Sequence, residues 1–399
     1  MENPGFAYEP SAGYLATTFR LQHTAIQLVL GRFAFWMFIG GHIAIKVAYR
    51  LGYIQNTQDV STQNVAIDWN ALKVVTAMTT FFEVFYSNES YKRYLRLYDR
   101  TREMLGTGYE FTLMTSLNIG RTSMKHVHLA NRYYVANTLV FFFDLSGSHV
   151  ITDRQWSELH RLRILTKEER AILQPLCSRD RILTLMHWCG DVTSQGHALA
   201  SEKNKVPPNL RASLLSTLFK CRSAQQELTD VVSLPVPFAY FHLLNLMIVV
   251  NLSLLAFTMG ATESLLSTGV YVCTTLIFMG MMELASELSD PFGTDEVDFP
   301  VGAWLTDWYA STVHMLNQSF PDPEPTEGKG NRWDRLLENE QGLRADCWDD
   351  KVFVEAGFNV LLSVQADGNY RAPYDLLRLR TEKPRVDDDS ASMGSDDSD

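Results

Sequence analysis

Acidic side chains crowd one short segment, residues 289–299, which reads SDPFGTDEVDF. Pro291 fixes its own φ angle and Gly293 permits a positive φ, so the backbone is expected to bend there. Carboxylates at such density repel one another unless a cation lies among them, and oxygen ligands on a turn suit Ca²⁺. The segment directly follows a long apolar stretch. It therefore predicts an ion-responsive turn at a membrane boundary. The alternative is an acidic helix cap with solvated charges, which an isolated turn would favour.

Other chemistries find little support in the sequence. The five cysteines are scattered without a CxxC pair, which argues against a zinc site or a disulfide framework and favours free thiols. His126 and His128 lie two residues apart and so point to different sides of a helix, as surface or packing residues do. No Ser/His/Asp or Cys/His set emerges that could be catalytic, so we expect no enzyme. No basic run with interleaved aromatic residues suggests nucleic acid as a partner.

Composition hides a division of the chain. Over 399 residues the hydrophobic share is 46% and the mean hydropathy is −0.10, values that look soluble because charged segments dilute a few apolar ones. The net charge is −11, and residues 386–399 contain six aspartates and no basic residue. We predict that the acidic tail, residues 381–399, is disordered. The N-terminus resembles neither a secretory signal nor a transit peptide.

Four stretches predict membrane crossings. The third crossing is the most strongly predicted, because residues 236–261 contain no Asp, Glu, Lys or Arg. The fourth runs straight into the acidic turn, and its small residues allow close helix contact. The predicted crossings are residues 27–50, 70–86, 234–261 and 266–288.

Charged residues interrupt the first two crossings. Arg32 and Lys46 lie near the ends of the first, where long side chains can reach the headgroups. His42 is deeper, where a hydrogen bond in helix packing is expected. Lys73 and Glu83 make the second a poor lipid-facing helix, so one of its sides is expected to face protein or water.

The remaining segments are assigned to one side of the membrane. Residues 87–233 are too polar for lipid and too long for a loop, so we predict a large cytosolic helical layer. Four crossings place both termini on that same side. Residues 1–26 form a cytosolic N-terminal segment, and residues 289–380 hold the turn and a cytosolic C-terminal region.

Several motifs together resemble the bestrophin anion channels. The turn DPFGTDEVDF resembles the NPFG-plus-acids signature of that family. Residues 86–94, YSNESYKRY, resemble the segment that closes its pore helix, and Arg132-Tyr133 resembles an Arg-Tyr pair on a cytosolic helix. Residues 233–240, SLPVPFAY, resemble the proline-led start of its third crossing. The likeness extends over roughly residues 7 to 320.

The resemblance implies an all-α membrane protein with four transmembrane helices and a cytosolic helical layer per subunit. Five such subunits would form a homopentamer around one anion pore. In calcium-gated members the turn of each subunit clasps one Ca²⁺, aided by a carbonyl of a neighbouring N-terminal segment. Carried over by position, the ligands would be Glu287, Asp290, Asp295 and Asp298, with the carbonyl near Ala7.

The resemblance also implies a pore with two constrictions. The hydrophobic neck aligns with Asn70, Val74 and Met78, although periodicity alone favours core packing for this face. The lower constriction falls at Val206 to Leu210. The neck is less bulky and more polar than the aromatic necks of animal channels, which is compatible with larger anions such as bicarbonate.

This chain departs from the family pattern within the turn itself. Glu287 and Asp290 stand where animal members carry neutral amides, and Val297 replaces one acid of the acidic run. The extra charge predicts stronger cation binding or weaker discrimination between Ca²⁺ and Mg²⁺.

The predicted function is a Ca²⁺-dependent, ligand-gated anion channel for chloride or bicarbonate, with a hydrophobic neck that gates by dewetting. Membrane lipid and other copies of the chain are its expected partners. One alternative is a channel of the chloroplast type, linked to voltage or a proton gradient and not gated by Ca²⁺. Another is a non-conducting membrane scaffold. The plasma membrane is favoured over a chloroplast membrane.

Overall fold

The computed structural model describes residues 24–54, 69–146, 151–234, 236–292 and 298–317. Within these ranges the regular structure is entirely α-helical, as predicted. The helices are α1 (Ala25–Gly31), α2 (Phe33–Arg50), α3 (Trp69–Ile119), α4 (Met124–Ser146), α5 (Asp153–Arg161), α6 (Lys167–Leu173), α7 (Ser178–Asn204), α8 (Asn209–Ser233), α9 (Phe238–Gly260), α10 (Leu266–Ser289) and α11 (Val301–Asn317).

The helix ends follow local sequence signals. Thr152 and Gln155 form a capping box at the start of α5, and Thr166 and Glu169 form another at the start of α6. Pro207 and Pro208 precede α8, since proline lacks the N–H that a helix interior needs. The short helices α5 and α6 therefore begin where side chains supply the missing hydrogen bonds, whereas α8 begins after a proline pair.

Two packing regions divide the molecule. In the first, α1, α2, α9, α10 and the beginning of α3 share apolar clusters around Phe35, Tyr271 and Leu252. In the second, the rest of α3 packs with α4 to α8 and α11 around a larger core that includes Phe111, Leu139 and Trp308. The predicted helical layer therefore has a core of its own.

Helix length and composition identify the candidate spans. Helices α9 and α10 are long and apolar enough to cross a membrane. Helices α1 and α2, bent by 72° at Arg32, qualify together as a third span. The beginning of α3 does not qualify within the described residues, because polar and charged side chains dilute it. Its role as a fourth crossing stays a prediction.

Candidate pore and cation-binding turn

Helix α3 connects the two packing regions without a break. It has 51 residues, which corresponds to a rod of roughly 75 Å. The predicted boundary between the second crossing and the cytosolic layer, at residues 86 and 87, lies inside this helix. A single helix therefore belongs to both packing regions.

One face of the first half of α3 is apolar and exposed in the single chain. Val74 and Met78 are 59% and 53% exposed, and Asn70 is exposed beside them. The same face continues through Phe81 and Phe85, which are 67% and 50% exposed. Large apolar side chains in such a row need lipid, a narrow pore or another subunit against them. The structure thus places the predicted neck residues on an accessible surface and not in a core.

The opposite face of α3 is buried against α9 and α10. Leu72, Thr79, Glu83 and Tyr86 line it at helical spacing. Tyr86 packs on the rings of Tyr240 and Phe241. The expectation that Glu83 turns away from lipid is met by its burial among protein helices.

Buried polar contacts join α2 to α9 and α10. His42 lies fully buried, with Nδ1 at 3.1 Å from the carbonyl oxygen of Ala256 and Nε2 at 3.2 Å from Oγ1 of Thr268. Its ring stacks on Tyr271 with 4.5 Å between centroids. The prediction of a packing hydrogen bond at His42 is confirmed.

Lys46 turns inward, contrary to the expectation that it reaches the headgroups. Its ammonium donates to the carbonyl oxygens of Thr262 and Ser264 at 2.6 and 2.7 Å, and to Oγ of Ser267 at 2.9 Å. Three neutral acceptors replace the water that a buried ammonium loses. Lys46 therefore fixes the end of α2 to the connection between α9 and α10.

Arg32 also has a protein partner. At the bend between α1 and α2, its Nη2 lies 2.7 Å from Oε2 of Glu283 on α10. The two residues are 251 positions apart in the chain, so their pairing depends on the fold. The pair ties the first span to the helix that leads into the acidic turn.

The acidic turn is anchored by aromatic packing. The N–H of Phe299 donates to the carbonyl oxygen of Pro291 at 3.0 Å, so the chain that leaves α10 folds back on itself. The Phe299 ring packs against Phe292, Tyr94 and Trp304. The turn is thus held against α3 and the start of α11.

The predicted cation ligands lie in and beside this turn. Glu287 and Asp290, at the end of α10, are half-buried, whereas Asp298 is 5% exposed. Burial together with the charge of Asp298 raises the pKa of Tyr94. Asp295 and Ala7 lie outside the described residues. Among the described residues alone, no three acidic, histidine or cysteine side chains form a group that could hold a metal ion.

The donor chemistry nevertheless fits a hard cation. Glu287, Asp290 and Asp298 offer only carboxylate oxygens, which Ca²⁺ prefers over nitrogen or sulfur ligands. A carboxylate buried as deeply as Asp298 needs hydrogen bonds or a counter-charge. A complete site would have to include the ligands of residues 293–297 and of the N-terminal segment.

Arg93 links the turn to α3, and the sequence alone did not reveal this role. Its Nε donates to the carbonyl oxygen of Ser289 at 2.9 Å, and its Nη1 donates to that of Leu234 at 2.6 Å. The residue before Asp290 and the chain that leads into α9 are therefore both fixed to the helix that carries the candidate neck.

The predicted lower constriction lies where α7 ends and α8 begins. Val206 is in the connection between the two helices and Leu210 is in the first turn of α8, and both are half-buried. Lys205 ends α7 in the left-handed region with φ of 56°. Nε2 of His197 lies 3.3 Å from the carbonyl oxygen of Pro207. The structure places Val206 before α8 and Leu210 at its start, and their role in a constriction stays a prediction.

Arg132 and Tyr133 both bind Glu169 within the predicted cytosolic helical layer. Arg132 donates to both carboxylate oxygens of Glu169 at 2.7 and 2.8 Å, and the Tyr133 hydroxyl donates to the same carboxylate at 2.7 Å. Burial opposes the charged form of Glu169, but these hydrogen bonds and the Arg132 charge hold its pKa below the ordinary value. The pair anchors α6 to α4 and has a structural role.

Comparison with known proteins identifies the family. The model of the Bacterial/Fungal Bestrophin protein family matches residues 11–313. The chain belongs to this bestrophin family. The predicted membership in the bestrophin family is thereby confirmed, whereas the roles of the individual site residues stay predictions. The sequence has no significant match among curated proteins.

Solved structures share the fold. A crystal structure of a bacterial bestrophin homologue from Klebsiella pneumoniae, a point variant, is 18% identical with a TM-score of 0.59. The match covers 74% of this chain and all of the homologue. A second variant of that homologue is 21% identical, with a TM-score of 0.58 over 72% of this chain and 98% of the other. At these identities the likeness concerns the fold.

Proposed function

We propose that this bestrophin is the subunit of an anion channel whose conductance depends on Ca²⁺. The observation that carries the proposal is the exposed apolar face of α3, with Val74 and Met78, on the same helix that Arg93 fixes to the acidic turn. Family membership supports the anion channel as the class of function.

The neck would be built from several copies of α3. In a homopentamer, five copies of Val74 and Met78 surround one axis, with Asn70 at one end. Water leaves a narrow apolar constriction, and an anion then faces a desolvation barrier. A small rotation of α3 turns these side chains off the axis and rewets the neck. Chloride, or a larger anion such as bicarbonate, would then pass.

The turn would supply the Ca²⁺ dependence. Carboxylates of Glu287, Asp290, Asp295 and Asp298, with the carbonyl of Ala7, would surround the ion. Arg93 joins the backbone beside Asp290 to α3, so a cation that orders the turn also biases the orientation of α3. The bound ion supplies positive charge that lets the carboxylates lie close together.

Current recordings from the full chain in lipid bilayers test the proposal. With asymmetric chloride, the reversal potential should follow the chloride gradient, and the current should rise with Ca²⁺. The double variant Asp290→Asn with Asp298→Asn should keep the anion selectivity and lose the Ca²⁺ response. Glu263→Gln, in the connection between α9 and α10, serves as the matched acidic control.

Each contrary outcome identifies an alternative. An anion current that does not depend on Ca²⁺, in the unmodified chain and in the double variant, supports the channel linked to voltage or a proton gradient. Absence of current at every Ca²⁺ concentration supports a membrane scaffold. A reversal potential that follows the cation gradient excludes an anion channel. Light scattering of the detergent complex should give the mass of five chains if the pentamer is correct.

A further inference from the structure

Polar side chains form a continuous row on the buried face of α3, opposite the neck residues. The row comprises Thr76, Thr79, Glu83, Ser87 and Ser90, spaced by three or four residues, so its members share one side of the helix. On the same side of α3, apolar side chains of α9 and α10 pack around Tyr86, including Leu244, Ile248 and Phe278. We call this row the polar seam.

Glu83 is the ionisable member of the polar seam on α3. The residue is 4% exposed, and its Oε1 has no hydrogen-bond partner among the described residues. A carboxylate anion with an unpartnered oxygen in an apolar surrounding is costly, whereas the protonated acid is neutral and can itself donate. The packed arrangement of α3 therefore suits the protonated form.

The seam continues to both sides of Glu83. Thr76 donates to Oδ1 of Asn251 on α9 at 2.8 Å, while Nδ2 of that amide lacks a partner within the described chain. Oγ of Ser87 and Oγ of Ser90 are likewise buried and unpaired among the described residues. Buried polar groups of this kind normally hydrogen-bond to ordered water. Ser87 and Ser90 continue the polar seam from Glu83 towards the charged helical layer.

The neighbouring helices offer Glu83 no counter-charge. On α10, Glu283 is paired with Arg32, and Tyr271 donates to the carbonyl oxygen of Leu252. On α9, Tyr240 donates to the carbonyl oxygen of Phe82. The titratable side chains on these two helices are Tyr240, His242, Tyr271, Cys273, Glu283 and Glu287. Of these, His242 and Cys273 are exposed and turned away from the buried face.

We propose that Glu83 is a proton-binding site within the membrane region and that loss of its proton changes the anion conductance. This inference rests on the channel function proposed above. An ionised Glu83 would favour arrangements of α3 that hydrate its carboxylate. Because Val74 and Met78 lie on the opposite face of the same helix, any rotation that hydrates Glu83 also moves the neck.

The test compares Glu83→Gln, which imitates the neutral acid, with the unmodified full chain. Chloride current in bilayers is measured at fixed Ca²⁺ from about pH 5 to about pH 9, the range in which buried carboxyls titrate. The unmodified channel should change its conductance severalfold, whereas Glu83→Gln should keep the acidic value throughout. Glu89→Gln, an exposed carboxyl on the same helix that pairs with Lys92, should leave the pH response intact.

A second measurement does not depend on conduction. The thermal unfolding midpoint of the unmodified protein in detergent should fall as pH rises, since the folded state disfavours the ionised acid, and Glu83→Gln should remove that fall. Glu83→Gln proteins with the unmodified pH profile in both measurements would overturn the inference. If the unmodified chain carries no current at any pH, the channel function fails, and the unfolding profile alone still decides whether Glu83 binds the proton.

Discussion

Arg93 and Ser289 are hydrogen-bonded at 2.9 Å although 196 residues separate them in the chain. The contact fixes the last residue of α10 to α3, directly before the carboxylate of Asp290. Coulomb attraction to the carbonyl dipoles strengthens it, because hydrogen bonds from a charged donor are stronger than neutral ones. The end of α10 and the helix with the candidate neck are therefore joined by a direct, charge-assisted hydrogen bond.

Replacement of Arg93 should uncouple the turn from α3. Arg93→Met keeps much of the side-chain length but removes the donors to Ser289 and Leu234. We expect Ca²⁺ binding to persist in titration calorimetry while the Ca²⁺ response of the current is lost. Lys92→Met is the control, since Lys92 is exposed and pairs within its own helix. Equal loss of response in both variants would refute a special role of Arg93.

Polar residues in the neck should raise its basal conductance. Val74→Ser and Met78→Ser each remove an apolar side chain from the exposed face of α3, which lowers the cost of wetting. Current without Ca²⁺ should increase severalfold in bilayer recordings. Val249→Ser, at an exposed apolar position of α9, should leave the current unchanged. Unchanged current in both neck variants would place the neck elsewhere on α3.

A methyl group at Gly108 should disturb the docking of α11. An added Cβ would lie 2.6 Å from Nε1 of Trp308, closer than real contacts permit. Gly108→Ala should therefore lower the free energy of unfolding by about 1–3 kcal/mol. Gly106→Ala has open space and should stabilise α3 by about 0.5–1 kcal/mol. Thermal unfolding in detergent distinguishes them, and a stable Gly108→Ala would mean that Trp308 can move aside.

His128 should make the helical layer sensitive to acid. Burial lowers its pKa from 6.5 to about 4, so the folded state resists the proton that the unfolded chain accepts. The free energy of unfolding should therefore be highest above about pH 6.5. It should decline as the pH falls towards about 4, by at most about 3 kcal/mol.

The His128 prediction is checked by the unfolding midpoint as a function of pH. His128→Gln should flatten the acid side of that profile, although it sacrifices some packing at neutral pH. The exposed His187 provides the control, and His187→Gln should retain the decline. A decline that persists in His128→Gln would assign the acid sensitivity to other groups.

Sequence patterns predict the spans α9 and α10 well because their apolar runs are nearly free of charge. The acidic turn is equally easy to predict, since Pro291 and the acidic residues around it lie in one short segment. The packing of His42 also followed from its depth in an apolar stretch. Such features depend on local composition, which a single sequence contains.

Contacts between distant segments could not be predicted in the same way. The position of Lys46 in the sequence predicts a side chain that reaches the headgroups, yet its hydrogen-bond acceptors lie more than 200 residues later in the chain. The partner of Arg32 and the carbonyls bound by Arg93 likewise depend on how α10 packs. The helical period of α3 grouped Val74 with Met78, but only packing against α9 and α10 decided which face is buried.

The acceptors of Lys46 have a consequence for biosynthesis. The ammonium enters the bilayer region with α2, whereas Thr262, the first of its partners, is synthesised 216 residues later. At about 5–20 residues per second, roughly ten to forty seconds pass before α9 and its following connection emerge. During this interval Lys46 lacks these acceptors, so we expect its ammonium to stay in contact with water or headgroups until α9 and α10 pack against α2.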